Sequence, residues 1–210
     1  NEINKPEIQL MITDVISGIV ALNNFKCSHN DLHHGNILVV PWNKTKEKQI
    51  TTYKFDNPHK TRTNKVDPVL VYQTKSRYHP LIYDWDRAYV QSLGPNPLLT
   101  KAPDLCYYGA NCNEFVPSRD ILKFLGSIFV DFIYKYKIDI RNSKIYYRLF
   151  VNNEGADYYY DNVLLQGYKF PPPATAFTKA FFLQNSKYNS VLSAAWINKN
   201  VLTPVQILYN

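Results

Sequence analysis

The stretch SRDILKFLGSIFVDFIYKY, residues 118–136, limits what this chain can fold into. Ile121, Phe124, Leu125, Ile128, Phe129, Phe132 and Ile133 recur at helical spacing and fill most of the circumference. A helix with so little polar face has to lie inside a domain, covered on several sides. Ser118 is the residue type that caps a helix start. The chain has 210 residues, 45% of them hydrophobic, which is enough to supply the covering layers. Residues 7–25 provide one. Ile8, Met11, Ile12, Val15, Ile16, Ile19 and Val20 predict a second helix with one apolar face, ending near Asn23-Asn24.

Between these helices the period changes. Residues 37–40, ILVV, read as a short buried strand that Pro41 stops, and 69–74 and 81–83 read as two more. Residues 41–67 are polar and basic, a loop or an exposed hairpin. Residues 91–118 carry Pro95, Pro97, Pro103 and Pro117 and predict a long irregular segment of the kind that carries function. The polar run NNEGADYYYDN follows the central helix, with Tyr158, Tyr159 and Tyr160 as a partly exposed packing surface. Helices are predicted at 174–184, 188–198 and 204–209, the last opened by Thr203-Pro204. The fold class is α+β: one domain over 1–210, mainly helical, with a small β-hairpin sheet and a basic insertion at about 41–78.

The net charge is +7, and much of the surplus sits in 44–65. Such a patch suits an acidic partner. Only Tyr53 and Phe55 interleave with it, too few aromatics for base stacking. No apolar run reaches the roughly 18 residues of a membrane span, and no signal-peptide pattern is visible. Cys27, Cys106 and Cys112 are an odd set that reads as reduced thiols, hence a cytoplasmic setting. The alternative for Cys106 and Cys112 is a strained pair or half a metal site, against which His and Cys partners at metal-ligand spacing are missing. The chain starts at Asn1 and its one Met is Met11, so it is expected to be a fragment or a processed product.

The chemistry concentrates in KCSHNDLHHGNILVV, residues 26–40. A phosphoryl-transfer site needs a carboxylate to orient the attacking hydroxyl. It also needs a second carboxylate and a neutral oxygen to hold Mg²⁺ against the phosphates. Asp31 and Asn36 lie on a polar loop just before a strand, and the strand in PLIYDWD leads into Asp84 and Asp86. If the two strands pair, these groups converge. His33-His34 makes a poor metal pair, because adjacent side chains diverge.

These segments carry a resemblance. HNDLHHGNILV, 29–39, resembles the catalytic loop of the protein-kinase-like superfamily, His-x-Asp-Leu-x-x-x-Asn before a strand. LIYDWDRA, 81–88, is similar to its metal-binding Asp-Phe-Gly segment, with Trp85 for Phe and Asp86 for Gly. SRDILKFLGSI, 118–128, resembles the helix whose Asp braces the catalytic loop. The match covers about 1–136 and implies the helical C-terminal lobe of a kinase fold. Asp31 would be the catalytic base or hydroxyl-orienting residue. Asn36 and Asp84 would hold Mg²⁺ and ATP phosphates, with Asp86 a further metal contact. His29 and Asp120 would be structural supports.

The same resemblance implies a Mg²⁺- and ATP-dependent phosphotransferase. Closest in motif are Ser/Thr protein kinases of large DNA viruses, whose setting is the host cytoplasm or the virion. His33, counted with Asp31 in the catalytic set, stands where protein kinases usually carry Lys. That feature is similar to aminoglycoside- and choline-kinase-like enzymes and leaves a small-molecule alcohol as the alternative acceptor to a protein Ser or Thr. A catalytically silent binding module is the third possibility. Asn30 replaces the Arg that pairs with a phosphorylated activation loop. No G-x-G-x-x-G loop is present, so the N-terminal lobe is expected to be absent from this chain and the chain inactive without it.

Overall fold

The computed structural model describes residues 5–43, 47–57, 69–101, 112–165 and 193–209. The first helix, α1 (Lys5–Asn24), buries Met11, Val15, Ile16, Ile19 and Val20, while Ile8 stays exposed. It ends as Lys26 turns to φ 51°, the left-handed conformation that terminates a helix. The Asn23 amide donates to the Pro117 carbonyl at 2.9 Å, tying this end to the approach of the central helix.

Strand β1 (Cys27–Ser28) follows, and after it β2 (Ile37–Pro41). β2 pairs antiparallel with β5 (Tyr78–Ile82), Ile37 opposite Ile82. Nested inside that hairpin is a second one. β3 (Gln49–Asp56) pairs with β4 (Val69–Ser76), Gln49 opposite Ser76. β6 (Tyr89–Val90) pairs with β1. The fold is thus mixed α+β, with small two-stranded antiparallel sheets among the described residues. β2 is only half-buried, unlike the buried strand expected, and Leu38 is 52% exposed. A two-stranded ribbon gives the core one face, here Ile37 and Ile82, and turns alternate residues outward. Pro41 does not precede the stop but forms the last pair, with Tyr78, where its missing N–H is tolerated.

The basic insertion is therefore an ordered hairpin over its described part, and it docks on α1. Thr74 Oγ1 and the Tyr53 hydroxyl both donate to Asp14 Oδ1, at 2.7 and 3.0 Å. Ser76 Oγ donates to Glu7 Oε2 at 2.9 Å. Burial pushes the Asp14 carboxyl above its usual range, and the two hydroxyls pull it back.

The expected irregular segment contains a 3₁₀ turn at Gln91–Leu93 and the short α2 (Pro97–Lys101). α3 (Arg119–Tyr134) is the central helix. Its first two turns, through Gly126, are buried all round, while Phe132 on its second half reaches solvent. Each large apolar side chain buried here contributes roughly 1.5–3 kcal/mol. Ser118 does not cap the helix. Its hydroxyl points to the Val201 carbonyl at 3.5 Å, and Arg119 N–H enters the helix through the Val116 carbonyl at 3.1 Å. Gly126 is required by packing, since a Cβ there would lie 2.6 Å from the Tyr159 hydroxyl.

Beyond it come α4 (Lys144–Tyr147), α5 (Asn153–Tyr159) running into a π turn at Tyr160–Leu164, α6 (Ala194–Asn200) and α7 (Pro204–Tyr209). NNEGADYYYDN is thus largely helical. Asn152 caps it by accepting the Gly155 N–H at 2.8 Å. Tyr159 and Tyr160 are core residues and Tyr158 alone faces out, so the partly exposed packing surface expected is exposed at one of its three positions. Thr203 does open α7, with Gln206 Oε1 accepting both its N–H and its hydroxyl at 2.8 Å. The helix expected at 174–184, the start of that at 188–198, and Cys106 lie outside the described residues. Cys112 is disulfide-bonded, which corrects the reading of three reduced thiols, whereas Cys27 is a buried free thiol. Among the described residues no helix is long and apolar enough to cross a membrane.

Candidate functional site

One carboxylate holds the loop 28–36 from the core side. Asp120, buried in the first turn of α3, accepts the His29 N–H at 2.7 Å through Oδ2 and the Asn30 N–H at 2.9 Å through Oδ1. Burial pushes its carboxyl up, and the two amides and the Lys123 ammonium pull it back. Paired acceptance of two backbone donors fixes the path of the loop whatever its side chains are.

Asn30 adopts φ 64°, a left-handed conformation that Asn tolerates well. Its Nδ2 donates to the carbonyls of Arg87 and Cys112, at 2.9 and 3.0 Å. Its Oδ1 meets Arg119 Nη1 at 3.4 Å. A neutral side chain thus ties the loop to two downstream segments. His29 does similar work through its ring. Nδ1 accepts the Asp31 N–H at 3.2 Å, so Nε2 carries the proton and donates to the Tyr83 carbonyl at 2.8 Å. Trp85 covers that ring, 4.7 Å between centroids.

Asn36 donates from Nδ2 to the Asp31 carbonyl at 2.9 Å, which leaves its Oδ1 as an uncommitted hard oxygen donor. The Tyr83 N–H donates to the Asn36 carbonyl at 3.2 Å, and the Tyr83 hydroxyl to that of Gly35 at 2.8 Å. Strand pairing therefore delivers the chain just before Asp84 to Asn36. Asp84 is exposed at φ 65°, and no hydrogen bond or ion pair engages its carboxylate among the described residues. Asp86 is also exposed, its carboxylate 3.9 Å from Arg87 Nε. Beside them, Leu38 and Leu81 are cross-strand partners with exposed side chains, an apolar face next to the oxygen donors.

No group of three or more His, Cys, Asp or Glu that could hold a metal occurs among the described residues. Asn36, Asp84 and Asp86 are hard oxygen donors and too few for a closed cage. That set fits Mg²⁺, which binds through one or two carboxylates and completes its shell with phosphates and water.

His33 is half-buried. Its Nδ1 accepts the Gly35 N–H at 3.1 Å, and burial lowers its pKa below the ordinary imidazole value. His34 turns the other way, its N–H donating to Ser127 Oγ at 3.0 Å and its Nε2 lying 3.4 Å from Asp131. The two rings anchor different things and make no metal pair.

The environment of Asp31 was not foreseen. Its carboxylate, 8% exposed, is held by two cations, Lys123 Nζ on Oδ1 and Arg87 Nη1 on Oδ2 at 2.8 Å. Lys123 comes from α3 and also donates to the Asn30 carbonyl at 3.1 Å. Burial pushes its ammonium down and Asp31 holds it up. A signal existed for Lys123: it is the one Lys between Arg119 and Tyr134, three residues after Asp120 and so on the same face. Arg87 had none beyond following Asp86. Asp31 can orient a hydroxyl through an oxygen that Arg87 releases, while Lys123 stays paired with the other oxygen. Compared with known proteins, the chain matches no protein family, no curated protein and no solved structure.

Proposed function

We propose that this protein is a Mg²⁺- and ATP-dependent phosphotransferase acting on an alcohol, with a protein Ser or Thr as acceptor, and that the described residues form the helical C-terminal lobe of a protein-kinase-like fold. The observation that carries the reading is the Asp120 carboxylate gripping the amides of His29 and Asn30. That grip fixes the main chain just before Asp31, while strand pairing brings the chain just before Asp84 to Asn36. The exposed Leu38 and Leu81 add an apolar face suited to a flat heterocyclic base.

Asp31 Oδ2 accepts a hydrogen bond from the acceptor hydroxyl and aims its oxygen. That oxygen forms the new bond to the γ-phosphorus while the bond to the departing ADP breaks, and the proton leaves through Asp31 to solvent. Asn36 and Asp84 would hold Mg²⁺, which would supply positive charge against the phosphates. His29 keeps Asp31 and Tyr83 in register. His33 stays neutral near pH 7 and supports the turn after Asp31. ATP supply and the reduced Cys27 fit a cytoplasmic setting, and the disulfide at Cys112 is the feature that favours an oxidising one.

The test is phosphate transfer from labelled ATP by the full-length protein to Ser/Thr peptides and to amino sugars. Transfer should require Mg²⁺ and fall at least ~10³-fold in both Asp31→Ala and Asp84→Ala. Undiminished transfer in Asp84→Ala would sink the reading. A silent module is the second reading, favoured by the two cations that occupy Asp31. It predicts nucleotide binding with no turnover on any acceptor.

A further inference from the structure

We propose that Arg87 is a specificity-determining residue, making the Asp31 site select a Ser- or Thr-bearing peptide with acidic side chains beside the hydroxyl. The inference rests on reading Asp31 as the residue that orients the acceptor.

The two cations on Asp31 differ in kind. Lys123 is 4% exposed, lies on the core side and is also bound to the Asn30 carbonyl, so it stays with Oδ1. Arg87 is 15% exposed and covers Oδ2, the oxygen an incoming hydroxyl has to reach. The Arg87 main chain is fixed, its carbonyl held by Asn30 Nδ2 at 2.9 Å and the turn beside it closed by Ala88 N–H on the Trp85 carbonyl at 3.0 Å. Release of Oδ2 therefore requires the guanidinium to swing away from Asp31.

Charge then decides which acceptor moves it. At Asp31 one negative charge faces two positive ones. A cationic acceptor, such as an amino sugar or a choline-like alcohol, meets two cations at the oxygen it has to reach and has no carboxylate to offer Arg87. A neutral one has nothing to offer Arg87 in exchange for Asp31. An acidic side chain beside the hydroxyl gives the guanidinium a replacement carboxylate, which its planar fork of donors accepts readily. Oδ2 is then released to take the hydroxyl's hydrogen bond. The Asp86 carboxylate, 3.9 Å from Arg87 Nε, already shows a second carboxylate beside the same guanidinium. The net charge of +7 draws acidic segments toward the surface at longer range.

The experiment measures binding of three peptides to the 210-residue chain by calorimetry at low salt, each with a central Ser flanked by Glu, Gln or Lys. The Glu peptide should bind at least ~10-fold more tightly than the Gln peptide, with the Lys peptide weakest. Arg87→Ala should bring the Glu-to-Gln ratio to about one, Arg87→Glu should favour the Lys peptide, and Arg87→Lys should restore part of the preference. Thermal melts of each variant separate lost selectivity from lost fold, and Arg87→Lys carries the test if Arg87→Ala does not fold. A Glu preference unchanged in Arg87→Ala, or no preference in the unsubstituted chain, overturns the proposal. The same peptides given to the full-length protein with ATP separate the two readings. Charge-selective binding without transfer defeats the phosphotransferase and leaves the role of Arg87. Transfer with no dependence on flanking charge does the reverse.

Discussion

Two parts of the molecule are pinned by buried aspartates, and they are pinned differently. In the loop 28–36, Asp120 uses both oxygens, each on a backbone N–H. The inserted hairpin is held by Asp14 of α1, which uses one oxygen, and both of its donors are side-chain hydroxyls, of Thr74 and Tyr53. The first arrangement fixes a main-chain path and frees the side chains of Asp31 and Asn36 for other work. The second attaches a ribbon to a helix through partners that can be exchanged. A site that has to hold geometry is built on backbone. An appendage is built on side chains.

An Asn substitution breaks this comparison most sharply. Asp120→Asn keeps one acceptor and aims an NH₂ at the other amide, leaving a buried N–H unmet. It should cost about 2–4 kcal/mol in denaturant unfolding and, on the proposed function, reduce phosphate transfer. Asp14→Ala should cost about 1–3 kcal/mol, with faster amide exchange in β3 and β4 and little change in transfer. Asp14→Asn retains the Oδ1 acceptor for both hydroxyls, so its cost should stay below about 1 kcal/mol. If Asp14→Asn proves as damaging as Asp120→Asn, the distinction between the anchors fails.

The smallest effect tests the loop through His33. Burial holds its folded pKa below the unfolded value of 6.5, so the folded state binds the proton less readily than the unfolded state. The stability this contributes is present above pH 6.5 and is lost as pH falls through the folded pKa. His33→Asn keeps an acceptor for the Gly35 N–H and removes the titration. Its melting temperature should therefore fall less than that of the unsubstituted chain between pH 7 and pH 5. Parallel pH profiles would show that His33 is not perturbed in this way.

The elements that could be read ahead were those with a local cause. The apolar spacing of Val15, Ile16 and Ile19 predicts α1, and that of Ile121 through Ile133 predicts α3. Thr203-Pro204 opens α7 because capping is settled within one turn. The errors share the opposite character. Ser118 has the right chemistry for a cap, yet Val201, far along the chain, takes its hydroxyl. The burial of Tyr159 depends on the close approach of Gly126 across two helices. β2 is half-exposed because β5 is its one neighbouring strand among the described residues, which no run of four apolar residues announces.

The sequence by itself determined the periods, the turns and the spacing of Asp31 and Asn36, which one short loop and the strand after it hold together. Only the tertiary structure decided what surrounds Asp31. Lys123 and Arg87 reach it from a helix and a turn remote in sequence, and a charge acts through space over a few ångströms whatever the number of residues between. Local spacing names the groups that can do chemistry. The folded path determines which charges they face, and hence what they accept.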